Sequence, residues 1–506
     1  MYRLSFVAFI TTLIFCSSCR NDFETVPSSG NLSFSKDTVY LDTTFTNIGS
    51  ATFTLKVYNR SKKDLHIPEI KLGKGNDSQY RLMVDGKPGK TFKNVELLAQ
   101  DSLFIFVETT IDYDQLAATE NSFLYTDRIE FDNGSNQQKV ELVTLVKDAV
   151  FLYPSKDDQG NIETVVLNTD DQGNENRTQG FVLQDDQLNW NNQKPYVVYG
   201  YAVVPDSKIL NITAGARIHF HNNSGLLISD NASIQAKGAL STTKALENEI
   251  IFEGDKLQSL YDFVTGQWGT IWLKPNSVNN LFEHTTIKNG TIGIRTEAQQ
   301  NDALQLKNVQ IYNHSNFGIF GLNAFIDSEN TVVHNAGQSS LGLFGGNYHF
   351  KHATITNYWN SGNRKGRTLN ISNQLNQKTY PLQKAQFDNC IIYGNGQLEL
   401  GLDKNDSETF NYLFSNCLIR FNDVFNEFKN NVLYDFNNPL IMNQIVLNKN
   451  PEFKDTSKNN LIIGKNSGAI GLANEIISSL IPRDILGITR TLPADLGAYQ
   501  ADLTDN

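Results

Sequence analysis

The sequence predicts an all-β protein in two parts, a sandwich of short strands followed by a parallel-stranded solenoid. Three observations carry that prediction. A loose motif recurs along residues 284–422 at spacings close to one solenoid turn. Ahead of it, residues 31–150 alternate apolar and polar side chains between turns such as "NIGS", "VDGKPGK" and "DNGS". The composition is rich in aromatics, Gly and Asn, with 3 Met and only 19% charged residues, which suits a β-rich extracytoplasmic protein better than a helical cytosolic one. A net charge of −11 argues against a nucleic-acid partner, because phosphate binding needs a basic surface.

The motif is Asn or His, two residues, Ile or Val, one or two residues, then Asn. It reads "HTTIKN" (284–289), "NVQIYN" (308–313), "NTVVHN" (330–335), "HATITN" (352–357), "NCIIYGN" (389–395) and "NCLIRFN" (416–422), with starts 24, 22, 22, 37 and 27 residues apart. Spacings of 22–24 match one coil of a right-handed parallel β-helix. One coil cannot bury its apolar face alone, so equivalent positions must stack into a shared core. Ile287, Ile311, Val333, Ile355, Ile392 and Ile419 then form one aliphatic ladder. Asn suits the recurring bend, since it hydrogen-bonds nearby backbone and tolerates left-handed conformation. Cys390 and Cys417 share strand parity with Ile392 and Ile419, so both thiols are expected to point inward and stack, free or as a disulfide.

The 37-residue spacing holds a polar, basic insertion at 360–381 with Arg364, Lys365 and Arg367, expected as a surface loop. Earlier coils show as alternating stretches within 216–273, punctuated by Gly225, Gly238, Gly254 and Gly269. Here the chain resembles a group of lipoproteins with right-handed β-helix domains, in which Gly-Gln-Trp-Gly (266–269) and Ile271-Trp272 recur. That resemblance implies a fold, not a chemistry.

Residues 31–150 offer roughly seven strands, the count of an immunoglobulin-like sandwich. They also resemble envelope domains whose strands open with "FTNIG" (45–49) and end in "VYN" (57–59), which imply spacing or binding. At the N-terminus, Arg3 and the apolar run 4–15 form a signal peptide, too short to span a bilayer. "SSC" (17–19) resembles a bacterial lipobox with Cys19 as the lipid-bearing residue, although Cys16 stands where Leu is usual. The acidic "NDFE" (21–24) resembles surface-export tags of Bacteroidota-type lipoproteins. At the other end, "DILGITR" (484–490) and "DLGAYQ" (495–500) resemble the closing segment of secreted parallel β-helix proteins. The resemblance implies a cap in which Arg490 pairs with Asp495, with Gln500 standing where Glu is usual.

The organisation expected is therefore a signal peptide at 1–18, a lipid-anchored tether at 19–30, an immunoglobulin-like sandwich at 31–150, a polar connector at 151–195 and a right-handed parallel β-helix with C-terminal cap at 196–506. In the connector "DDQGN" occurs twice (157–161 and 170–174). It reads as a turn, and no cofactor is expected, Ca²⁺ held by its paired Asp residues being the alternative. "PYVVYGYAVV" (195–204) reads as a first strand.

No catalytic residues can be named. Acid ladders on successive repeats are absent, and Asp327 and Asp388 fall in separated coils. His219 and His221 share a strand face, His349 and His352 lie on another coil, and no metal set is predicted from them. Tyr348, Tyr358 and Trp359 are candidate platforms for sugar rings. The function expected is a non-catalytic binding or scaffold module, lipid-anchored at the outer membrane on its periplasmic or external face, with a polysaccharide or an envelope protein as partner. The alternative is a polysaccharide lyase or glycoside hydrolase of the parallel β-helix type.

Overall fold

A computed structural model describes residues 24–112, 122–170, 172–298 and 304–503. Cys19 lies outside them. The described chain is almost wholly β, with one short α-helix, Glu475–Leu480, among the described residues. It separates into two compact units: residues 1–148 with 256–258, and residues 149–255 with 259–506.

In the first unit two sheets enclose one core. A six-stranded sheet runs Val26–Pro27, Leu65–Leu72, Ser122–Phe131, Gln138–Lys147, Thr38–Phe45, with Thr91–Leu97 also paired to Leu65–Leu72. A five-stranded sheet runs Ser33–Phe34, Phe53–Tyr58, Ser102–Thr109, Tyr80–Val84, Lys87–Gly89. The alternation of "KVELVTLVK" places Val140, Leu142 and Val146 in the core, where they join Leu41, Leu55, Ile67 and Ile129. The Tyr80 hydroxyl donates to the Tyr125 carbonyl at 3.0 Å, so its buried ring is satisfied.

The second unit is built from parallel strands that recur with each turn of chain. One turn reads Phe325–Glu329, Val332–Ala336 and Ser339–Phe344. The first two strands join a nineteen-stranded sheet, the third a ten-stranded sheet, and Gly346–Lys351 begins the next turn. The ladder pairs in register: Ile287 with Ile311, Ile311 with Val333, Val333 with Ile355, Ile355 with Ile392 and Ile392 with Ile419, all buried. Phe350, Phe387 and Phe414 stack beside them at 5.3 and 4.9 Å between centroids. Cys390 and Cys417 are buried free thiols, and burial pushes the Cys390 thiol well above its usual range. Their Sγ–H groups donate to the Phe350 and Phe387 carbonyls at 3.4 Å.

The first residue of each motif copy takes left-handed backbone: His284, Asn308, Asn330, His352, Asn389 and Asn416 have φ between 41° and 56°. For ordinary residues this costs about 1–2 kcal/mol, which Asn offsets through side-chain hydrogen bonds along the stack. Asn330 Nδ2 donates to Asn308 Oδ1 at 2.9 Å, and Asn389 Nδ2 lies 3.0 Å from His352 Nε2.

Several expectations are corrected. Residues 151–195 are not merely a connector: Val150–Leu152 and Asn189–Trp190 enter the long sheet, and the hairpin Thr164–Thr169/Glu175–Val182 forms the edge of the ten-stranded sheet. "PYVVYGYAVV" is two strands, Tyr196–Val198 and Tyr201–Val204, parted by Gly200 at φ 70° and assigned to different sheets. The C-terminal segment does not plug the end of the core. It runs along the outer face of the long sheet, where Leu461, Ile485, Ala498 and Tyr499 pack with Val332, and Ala494 and Leu496 pack with Ile391 and Leu418. It binds the corner ladder directly: Asn389 Nδ2 donates to the Asn474 carbonyl at 3.1 Å, and Asn416 Nδ2 to the Leu472 carbonyl at 2.9 Å. Arg490 Nη2 donates to Asn330 Oδ1 at 2.8 Å and to the Gly497 carbonyl at 3.1 Å. Asp495, its expected partner, instead accepts from the Gly471 and Ala501 amides at 2.8 Å. The core's distal end is closed by aromatics, Phe421 and Phe428 against Tyr434 at 4.9 and 4.7 Å.

Candidate functional site

The outer face of the ten-stranded sheet carries two adjoining concavities. Register stacks Leu227, Trp272, Arg295 and Phe320 into one outward column. The hairpin Thr164–Thr169/Glu175–Val182 stands along one side of this column, anchored by Val165 on Tyr201, Val203 and Trp272. On the other side a small hairpin, Gln374–Leu375 with Lys378–Thr379, brings up Tyr380. Two clefts of about 590 and 850 Å³ result, and they meet at Asn168, Ile292 and Arg295. Both lie wholly within the second unit.

At the junction the Arg295 guanidinium sits 3.7 Å above the Trp272 ring and 5.7 Å from that of Phe320. Glu297 pairs with Arg295, so the guanidinium is held flat against the aromatic column and its charge is balanced. Trp272 is nearly covered and its Nε1 has no acceptor among the described residues. The walls are rich in amides: Asn168, Asn176, Gln179, Asn222, Asn316 and Asn376. Each amide offers both donors and an acceptor, the complement of a hydroxyl-rich ligand.

One titratable pair borders the larger cleft. His221 Nδ1 lies 2.6 Å from Asp255 Oδ2, and the ring stacks on Tyr199 at 4.5 Å. Burial pushes the Tyr199 phenol up to about 12. His219 does not join this pair; its Nδ1 lies 3.2 Å from the Gly254 carbonyl and 3.6 Å from Glu253. His352 is buried against Ser478, with Nε2 3.0 Å from the hydroxyl. Among the described residues no group of three or more His, Cys, Asp or Glu lies close enough to hold a metal ion.

In the two "DDQGN" stretches the first Asp makes the same contacts. Asp157 Oδ1 accepts from the amides of Gln159 and Asn161, and Asp170 Oδ1 from those of Gln172 and Asn174. The Asn161 and Asn174 side chains complete each turn at 2.9 Å and lower the carboxyl pKa, the backbone amides adding to the effect.

Asp327 and Asp388 are closer than their separation in sequence implied. Asp327 pairs in register with His349, which lies 2.6 Å from Asp388, and Lys351 bridges to Asp327 at 2.8 Å. They form a charge network on the outer face of the long sheet. Of the three aromatics expected as sugar platforms, Tyr348 is corrected: it is fully buried, two residues before inward-facing Phe350 on the same strand. Tyr358 and Trp359 are half-buried beside a smaller cavity. Reading the sequence for acids missed the Trp272–Arg295–Phe320 column, although its spacings of 23 and 25 residues follow the period already found.

Neither a family model nor a curated protein sequence matches the chain. Among solved structures it is similar to a family 123 glycoside hydrolase from Clostridium perfringens, whose study concerns glycolipid glycan hydrolysis, at 8% identity and a TM-score of 0.17 over 24% of this chain. The match spans 27% of that protein's length. It is also similar to the catalytic domain of a family 87 α-1,3-glucanase in complex with tetrasaccharides, at 9% identity and a TM-score of 0.19, over 72% of this chain and 81% of that one. Both neighbours are glycoside hydrolases.

Proposed function

We propose that the protein is a glycan-binding module whose ligand lies in the cleft on the ten-stranded sheet. The observation that carries this reading is the junction at Arg295, where an aromatic–guanidinium column is flanked by amides from two separate hairpins. Apolar sugar faces suit the column, and hydroxyl groups suit the amides. In this reading the first unit is an immunoglobulin-like sandwich and the second a right-handed parallel β-helix, supported by three parallel strands per turn of about 22 residues. Cys19 carries a lipid that anchors both units at the outer membrane. Metabolic labelling with an alkynyl fatty acid should mark the wild-type chain and not Cys19→Ala.

Binding is tested by a glycan array run together with a screen for reducing-end and unsaturated products. The proposal expects retention of a defined oligosaccharide class without product. No retention of any polysaccharide would refute it. A second reading, cleavage of the bound chain, is favoured by the His221–Asp255 pair, since a carboxylate-oriented imidazole at a cleft wall can serve as a base. New product from wild type, lost in His221→Ala, would establish that reading instead.

A further inference from the structure

The five-stranded sheet of the first unit turns one face to the core and the other to solvent. Alternation along Phe53–Tyr58, Tyr80–Val84 and Ser102–Thr109 sends Leu55, Val57, Leu82, Ile105 and Val107 inward. The same alternation leaves Phe104, Phe106 and Met83 outside, 47%, 38% and 42% exposed. These three are neighbours. Phe106 pairs in register with Met83, and the Phe104 and Phe106 rings lie 6.4 Å apart, 13° from parallel. Single exposed apolar residues are ordinary, but an aromatic patch on the middle strand of a sheet marks a contact surface.

Cations lie directly on this patch. Lys56 Nζ stands 4.8 Å from the Phe104 ring and 5.5 Å from that of Tyr58, and the Arg60 guanidinium lies 4.2 Å over Tyr58. Arg81 stands two residues before Met83 on the same strand and is half exposed. The bordering carboxylates are engaged. Glu108 accepts from the Thr52 hydroxyl and lies 3.8 Å from Arg81, and Asp101 accepts from the Ser102 amide at 2.7 Å. On a chain of net charge −11, a face led by cations fits an anionic partner.

That partner must also accept apolar side chains. A glycan is a poor match, because Phe and Met offer no hydrogen bond and the outward side of these three strands carries no side-chain amide to read hydroxyls. The surface of an anionic bilayer meets both demands. Phe and Met enter the boundary between headgroups and acyl chains, while Lys and Arg keep their charged ends at the phosphates. The lipid proposed at Cys19 would hold the unit close to such a surface. Val26 opens the first strand seven residues later, at most about 25 Å of extended chain.

We propose that the outer face of the five-stranded sheet docks on anionic phospholipid, with Phe104, Phe106 and Met83 entering the bilayer surface and Lys56, Arg60 and Arg81 pairing with lipid phosphates. The inference rests on the Cys19 reading only for the nearness of a membrane, and its test does not use that lipid. The test is flotation of the chain from residue 20, which keeps every described residue and lacks the apolar run 4–15, with vesicles of equimolar phosphatidylglycerol and phosphatidylcholine and with vesicles of phosphatidylcholine alone. The chain should float with the anionic vesicles and bind the neutral ones about tenfold or more weakly. Phe106→Ser should weaken binding about tenfold and Lys56→Gln about fivefold. Neither side chain is buried, so both melting temperatures should stay unchanged. Phe320→Ala in the cleft should leave flotation unchanged. No flotation with the anionic vesicles would overturn the proposal, and so would equal binding of the neutral ones or full binding by Phe106→Ser. Retention on polygalacturonate that Phe106→Ser abolishes, without flotation of wild type, would assign the face to an acidic glycan instead.

Discussion

Acidification should destabilise the second unit through two histidines buried as neutral rings. His314 and His334 are both fully buried, and burial lowers each from 6.5 to about 4. His314 Nε2 lies 3.2 Å from the Ile287 carbonyl; His334 lies 2.8 Å from the Thr356 hydroxyl and 3.1 Å from the Thr456 carbonyl. A pKa lowered on folding means that the unfolded chain binds more protons between about pH 6.5 and 4. The stability is therefore complete above pH 6.5 and is lost as pH falls toward 4. Between about pH 7.5 and 5 each ring should cost about 2 kcal/mol, so the pair should cost about 4 kcal/mol. His352, lowered further by burial and by nearby Arg490, acts in the same direction. The assay is urea unfolding followed by tryptophan fluorescence at the two pH values, for wild type, His314→Gln and His334→Gln. Each variant should be less stable at pH 7.5 and should lose about 2 kcal/mol less on acidification. Equal losses in wild type and both variants would refute the reasoning.

Three further outcomes follow from the packing. Gly497 combines φ of 86° with a place where a Cβ would meet Thr354 Oγ1 at 2.6 Å and Ile391 at 2.8 Å. Gly497→Ala should therefore loosen the C-terminal strap by about 2–3 kcal/mol, read as faster amide exchange at 485–500. Ile355→Ala removes one rung of a fully buried ladder and should cost about 2–5 kcal/mol, read as a shifted urea midpoint. Asn330→Ala loses left-handed tolerance, the bond to Asn308 and the acceptor for Arg490, and should cost more than Asn223→Ala at an exposed left-handed turn.

The aliphatic ladder and the Asn corner were legible because each depends on one residue type recurring at one period. What repeats in space there also repeats in sequence. The C-terminal strap was less so. Its contacts are made to Asn330, His352, Asn389 and Asn416 on different turns, and no local pattern encodes such a match. The resemblance suggested closure but not the face that is closed. Tyr348 was placed at the surface on residue type, although strand parity with Phe350 already turned it inward. The hairpin at 164–182 escaped because its polar composition reads as linker, while few apolar residues anchor it: Val165 and Leu167 on Tyr201 and Trp272, and Phe181 in the core. The network of Asp327, His349 and Asp388 was hidden by unequal turn lengths, since the insertion lies between residues that register makes neighbours. The cleft was missed for a different reason. The residues at its junction are amides, aromatics and one balanced Arg, and the search for paired acids passes over such types.

The most direct measurement of the central claim is titration calorimetry of the oligosaccharide retained on the array against wild type, Phe320→Ala and Asn168→Ala. Asn168 lines both clefts, and Phe320 lines the smaller one beside their junction. The account predicts that each substitution weakens binding about tenfold or more while the melting temperature stays unchanged. Full affinity in both variants would place the ligand elsewhere on the molecule and contradict the assignment of the cleft.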